Sequence, residues 1–138
     1  MECAEKLKEL IAEKLPAVSA ENILIGSVDV SRHEAKNICV IIPETTEITD
    51  TDIGGGYEQA TALTVSFLFR GGKHTELVKR MEETAETFQK AILEGYSLGR
   101  NVTDIEPGKT RFFYDCGTVE RQATGLDIEL TITETKEF

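Results

Sequence analysis

The chain has no tryptophan, three prolines, three cysteines and two histidines in 138 residues, and only 15 basic residues against 25 acidic ones. Each shortage excludes something. A formal net charge of -10 works against nucleic-acid binding, because that affinity depends on Lys and Arg neutralising phosphates. It works equally against adhesion to an anionic membrane surface. No apolar run approaches the roughly 20 residues that a membrane helix needs. The cysteines, Cys3, Cys39 and Cys116, are odd in number and widely spaced, so they match neither a disulfide framework nor a zinc pattern. Cys39 sits inside the apolar run Ile38-Cys39-Val40-Ile41-Ile42, where it serves as a small hydrophobe. The opening residues, Met1-Glu2-Cys3-Ala4-Glu5-Lys6, are charged and do not form a signal peptide. The expected location is the cytoplasm of the cell that makes the protein.

What is present is a patterned globular chain. Hydrophobic residues at 40% and charged residues at 29% are ordinary for a folded domain, and the length predicts one domain with its own core. In Ala62-Leu63-Thr64-Val65-Ser66-Phe67-Leu68-Phe69-Arg70, Leu63, Val65, Phe67 and Phe69 share one face, because side chains alternate across a strand. Gly71-Gly72 breaks that strand. From about Thr75 the period becomes helical, with Leu77, Val78, Met81, Ala85, Phe88 and Ile92 at three- and four-residue steps. Gly95 is the expected stop. A first amphipathic helix places Cys3, Leu7, Leu10, Ile11 and Leu15 together and should end near Leu15, before Pro16.

Strands are predicted over Ile23–Val30 and Asn37–Ile42, the second apolar enough to be covered on both faces. Residues 43–56 are rich in Thr and acid, contain no basic residue and end in three glycines. They read as a long functional loop or as an extended hairpin arm. Tyr96 to Lys109 reads as irregular, with Gly99, Pro107 and Gly108 as breakers. Thr110–Glu120 and Gly125–Thr133 form a last pair of strands. In the second of these, Leu126, Ile128, Leu130 and Ile132 face one way, and Asp127, Glu129, Thr131 and Thr133 the other. The expected fold class is α+β: a mixed, mostly antiparallel sheet with two helices packed on one face.

No catalytic motif emerges. Arg70-Gly71-Gly72-Lys73-His74-Thr75 has a glycine before a lysine at a helix start, but Phe67 occupies the first glycine position of a phosphate loop and His74 follows the lysine. Gly54-Gly55-Gly56 leads into a strand, so it lacks the helix dipole that would favour an anion, and a flexible hinge is the expected use. Acids at positions 44, 47, 50 and 52 have no internal glycine and do not form a calcium loop. No cofactor and no metal is expected. His33 and His74, each in a predicted turn, leave open a spatial dyad with Cys116, against the default of surface histidines and a structural cysteine.

The order helix, strand, strand with acidic arm, strand, long helix, strand, strand resembles the tail-terminator and minor-capsid (tail-completion) proteins of bacteriophages and prophages. Three segments carry the resemblance: the N-terminal helix, the unit from Leu63 through Gly72 into the helix Leu77 to Leu93, and the strand Gly125 to Ile132. The resemblance implies a single domain over 1–138 and a non-enzymatic, ring-forming tail terminator or head-tail joining component, commonly a hexamer. It also implies that the protein partners itself, the tail tube and head-connector proteins. It would be made in the host bacterial cytoplasm and carried to the virion tail or head-tail junction, without binding nucleic acid or membrane. Glu44, Glu47, Asp50 and Asp52 are the candidate assembly residues, on an arm expected to be mobile until subunits assemble. A ring that lets DNA pass gains from acidic walls, which repel phosphate. Two other readings remain, a small cytoplasmic binding or regulatory module of the same fold and an enzyme centred on Cys116.

Overall fold

The structure is a computed structural model that describes residues 2–26, 34–51, 54–94, 98, 101–118 and 121–137. Helix α1 spans Glu2–Lys14 and α2 spans His74–Leu93. Five strands, β1 (Ile23–Ile25), β2 (Asn37–Asp50), β3 (Gly56–Arg70), β4 (Val102–Phe113) and β5 (Ala123–Glu137), form one sheet in the order β1-β2-β3-β5-β4. All neighbours pair antiparallel except β1 with β2, which run parallel. This is the expected α+β class, with both helices on one face of a mixed sheet.

The alternation read from the sequence builds the core. Leu63, Val65, Phe67 and Phe69 of β3 lie beside Leu130, Ile128, Leu126 and Thr124 of β5, and all eight are buried. On them sits the α2 stripe of Leu77, Met81, Ala85, Phe88 and Ile92, and α1 adds Cys3, Leu7, Leu10 and Ile11. Phe88 meets Phe67 edge-on at 6.0 Å between ring centroids, an arrangement that aromatic quadrupoles favour. Asn37 of β2 ties the turn after α1 to α2: its Nδ2 donates to the Ala17 carbonyl at 2.7 Å, and Arg80 Nη1 of α2 donates to its Oδ1 at 2.9 Å. Residues 38–41 of β2 are buried on both faces, as their unbroken apolar run implied.

Several boundaries move. β1 ends at Ile25, where Gly26 takes φ +101° and donates its N–H to the Ile41 carbonyl at 2.8 Å. The remainder of the expected strand, 27–30, lies outside the described residues, as do Gly95 and His33. The acidic segment is the hairpin arm of the two alternatives: β2 runs on to Asp50 and β3 starts at Gly56. Gly54 (φ +59°) and Gly55 (φ +89°) serve its turn. Gly56 sits so close to β5 that a Cβ there would fall 2.2 Å from the Lys136 carbonyl oxygen. Gly54 and Gly55 thus belong to the turn and Gly56 to the start of β3.

β4 is the larger correction. It begins at Val102, not Thr110, and ends at Phe113. Pro107 and Gly108 do not break it, because β4 is the sheet's outer strand, where a proline need not donate to a ladder. The register shifts between Pro107 and Thr110, the local irregularity by which such a pair is absorbed. β5 is likewise longer than predicted, running from Ala123 to Glu137.

One core position is imperfect. Thr61 is fully buried opposite Ile132, and its hydroxyl has no hydrogen-bond partner among the described residues. Replacing a buried unsatisfied polar group by an apolar one of similar shape removes a desolvation penalty. Thr61→Val should therefore raise stability by about 1 kcal/mol, read as a higher urea midpoint at unchanged slope. A loss of similar size would show that the hydroxyl is in fact satisfied.

Candidate assembly surface

The sheet runs on past its apolar core. A strand of fifteen residues such as β3 is about 50 Å long, and the apolar core reaches only to the level of Thr61 and Ile132. Beyond that level lies an arm made of residues 45–50, 56–61 and 132–137, flanked at its base by the start of β4, with Val102 opposite Glu134, and accompanied on the helix side by the start of α1, where Cys3 lies beside Glu134. The candidate residues lie on or near it. Glu44 falls at a register irregularity between Pro43 and Thr45 and accepts a hydrogen bond from the Thr64 hydroxyl. Glu47 stands opposite Ala60, and Asp50 opposite Glu58. Asp52 lies outside the described residues.

Register shows which side they take. Residues 58, 60, 64 and 66 of β3 point away from the face that carries Leu63, Val65 and Phe67. Glu44, Glu47 and Asp50 therefore share the face opposite the helices, together with Glu58. Across β5 the same face carries Asp127 and Glu129, which stand opposite Ser66 and Thr64. Arg111 of β4 stands opposite Asp127. The Ser66 hydroxyl donates to Asp127 Oδ1 at 2.6 Å. A shallow depression of about 470 Å³ lies among Ile42, Glu44, Thr64, Ser66, Arg111, Asp127 and Glu129. The sequence had already put Asp127 and Glu129 on a solvated face, but only the strand order places them on the same side as the arm acids. The opposed pair Asp50 and Glu58 is mildly unfavourable on its own. Thr49 relieves part of this by donating from its hydroxyl to Glu58 Oε1 at 3.0 Å.

Two outer edges are exposed. Among the described residues, β1 pairs with β2 only as far as Ile41, and residues 44–50 of β2 are exposed. At the far side, β4 shows Phe112, Phe113 and, just past its end, Tyr114, which are 41%, 40% and 50% exposed. Phe112 and Tyr114 stack at 6.2 Å. Neighbouring exposed aromatics of this kind make β4 a candidate contact surface.

The enzyme reading centres on the cysteines. Burial pushes the Cys3 thiol up to about 11, helped by the Glu134 carboxylate beside it, and burial pushes Cys39 higher still. Cys116 is also raised, first by burial and then by the charges of Asp115 and Asp127. A nucleophilic cysteine needs the opposite displacement, toward thiolate. Among the described residues no group of three or more His, Cys, Asp or Glu could hold a metal ion. The cleft between α2 and β4, lined by Phe88, Gln89, Ile92, Leu93, Pro107 and Thr110 among others, encloses about 170 Å³.

No family model matches the chain, and no curated protein matches it. Among solved structures it is similar to a chain from a virion of native gene transfer agent (GTA) particle. The TM-score is 0.49 and the identity 9%, over 94% of this chain and 95% of that one. The likeness is one of chain path.

Proposed function

We propose that this protein is a non-enzymatic structural component of a phage-like particle: a self-assembling, ring-forming tail terminator or head-tail joining protein. The observation that supports this most is the arm. Past the apolar core the strands run on and present a row of carboxylates on the face away from the helices, and among the described residues the sheet has an exposed edge at each side. A chain that only had to fold would gain nothing from such an extension, whereas a subunit that must grip a neighbour would. Two different edges on one subunit suit a heterologous, head-to-tail contact, the kind that closes into a ring. The negative face is also compatible with a passage through which DNA slides without sticking.

Glu47→Lys with Asp50→Lys should disturb assembly and leave folding of the subunit nearly intact, because both side chains are exposed and outside the core. The measurement is mass by light scattering over a concentration series, paired with electron microscopy of particles. Wild-type protein should grow with concentration to a discrete closed species, and the variant should stay small with an unchanged melting temperature. A strict wild-type monomer that is also absent from purified particles would sink the reading. It would promote the binding-module alternative.

A further inference from the structure

The geometry points to one specific contact: the acidic arm edge of β2 in one subunit pairs antiparallel with the free end of β4 in a second copy of this chain. This rests on the self-assembly proposed above and names the surface that receives the arm.

Three features of the two edges fit together. Strand direction comes first. β2 and β3 are antiparallel, as are β3 and β5, and β5 and β4, so β4 runs opposite to β2. Subunits that repeat around an axis and extend the sheet edge to edge therefore join β2 to β4 as an antiparallel pair. Charge comes second. The arm edge offers Glu44, Glu47 and Asp50, all exposed, and the last turns of β4 offer Lys109 and Arg111, also exposed. Arg121 is exposed in the segment leading from β4 into β5.

Facing is the third and most restrictive feature. Glu47, through Ala60, lies on the face opposite the helices, and so does Arg111, through Asp127. Ile48, which stands opposite Gln59, lies on the helix face, as does Phe112, which stands opposite Leu126. A continued sheet preserves faces. An antiparallel register that sets Glu47 opposite Arg111 also brings Ile48, 58% exposed, within diagonal reach of Phe112, 41% exposed. One alignment thus pairs the charges on one side and covers apolar surface on the other. A one-residue slip would lose both.

The blocked half of β4 agrees. Its first half carries Asp104, Glu106, Pro107 and a register shift, which together repel an acidic strand and spoil a ladder. Among the described residues of β4, the part from Thr110 onward remains open, and it carries Arg111 and the exposed Phe112 and Phe113. The axial offset this demands is the stagger that any closed sheet needs.

The test is charge reversal with rescue. Glu47→Lys alone and Arg111→Glu alone should each move the concentration at which assembly is half complete upward by ~10-fold or more, since like charges then face each other across the edge. The doubly reversed chain, Glu47→Lys with Arg111→Glu, should recover most of that loss. Arg111→Gln, which adds no acid beside Asp127, should show a smaller shift of the same sign. Melting temperature follows each variant, so that misfolding is not scored as lost assembly. If wild-type protein assembles but the singles are unaffected, or the double variant is as impaired as the singles combined, the β2–β4 pairing is wrong and self-assembly stands. If wild-type protein never assembles, both fall together.

Discussion

Phe88→Ala should destabilise the protein by about 3–5 kcal/mol, the usual cost of removing a large aromatic from a packed core. Phe88 is 1% exposed and lies on α2 against Phe67, with Ile128 and Leu130 of β5 beneath the same helix. Truncation removes the edge-to-face contact and opens a space that joins the neighbouring apolar cleft, so collapse around it would be incomplete. Urea unfolding of wild type and variant, compared at equal slope, gives the number. A change below about 1 kcal/mol would show that the α2 stripe is not the keystone of the core described above. Assembly, by contrast, should be weakened chiefly in proportion to the folded fraction, because Phe88 lies away from the arm and meets β4 only across the apolar cleft beneath α2.

The parts of the fold that were legible in sequence are those whose period is unambiguous. Leu63, Val65, Phe67 and Phe69 alternate, the α2 stripe repeats at helical steps, and Gly71-Gly72 separates them. The structure keeps all three, with Gly71 at φ +79°. Pro107 and Gly108 misled because their meaning depends on position in the sheet. In an inner strand they would end pairing, and on an outer strand they cost little. Strand order is not a local property, so β4 could not be extended back to Val102 from its own residues. The arm was ambiguous for a related reason. Thr45, Thr46 and Thr49 favour a strand, but their acidic neighbours and Gly54-Gly55-Gly56 suit a loop equally well. Long-range pairing of 56–60 with 133–137 decides it.

The candidate surface was legible by half. Glu44, Glu47 and Asp50 stood out as an acidic run. Glu58, Asp127, Glu129 and Arg111 share their face only through registers that link positions up to about seventy residues apart. Phe112, Phe113 and Tyr114 read as strand residues of no special kind, because exposure is decided by what packs over them. Their run of three consecutive aromatics beside Arg111 was the signal available. An alternating strand buries only every second one, so at least one of the three had to face away from the core.

Gly56→Val should separate the two halves of this molecule. A Cβ at position 56 would lie 2.2 Å from the Lys136 carbonyl oxygen and 3.2 Å from its carbonyl carbon. Both are backbone atoms that cannot swing aside. The arm's inner ladder between β3 and β5 must open locally, at a cost of about 1–3 kcal/mol. The bulk of the core, which begins some five residues further along β3 at Thr61 and Leu63, lies away from this site and should stay folded. Amide exchange should therefore show protection lost at residues 57–60 and 133–137 and retained at 63–69 and 126–130. Assembly should fail outright, because the outer strand of the arm is held in place only by the inner one. Gly56→Ala should fail to a lesser degree, its smaller side chain meeting the same carbonyl with less to displace. The outcome that would overturn the division of labour is full assembly of Gly56→Val with an unprotected arm. The arm would then be dispensable, and the grip between subunits would have to lie on the remaining faces of the sheet and helices.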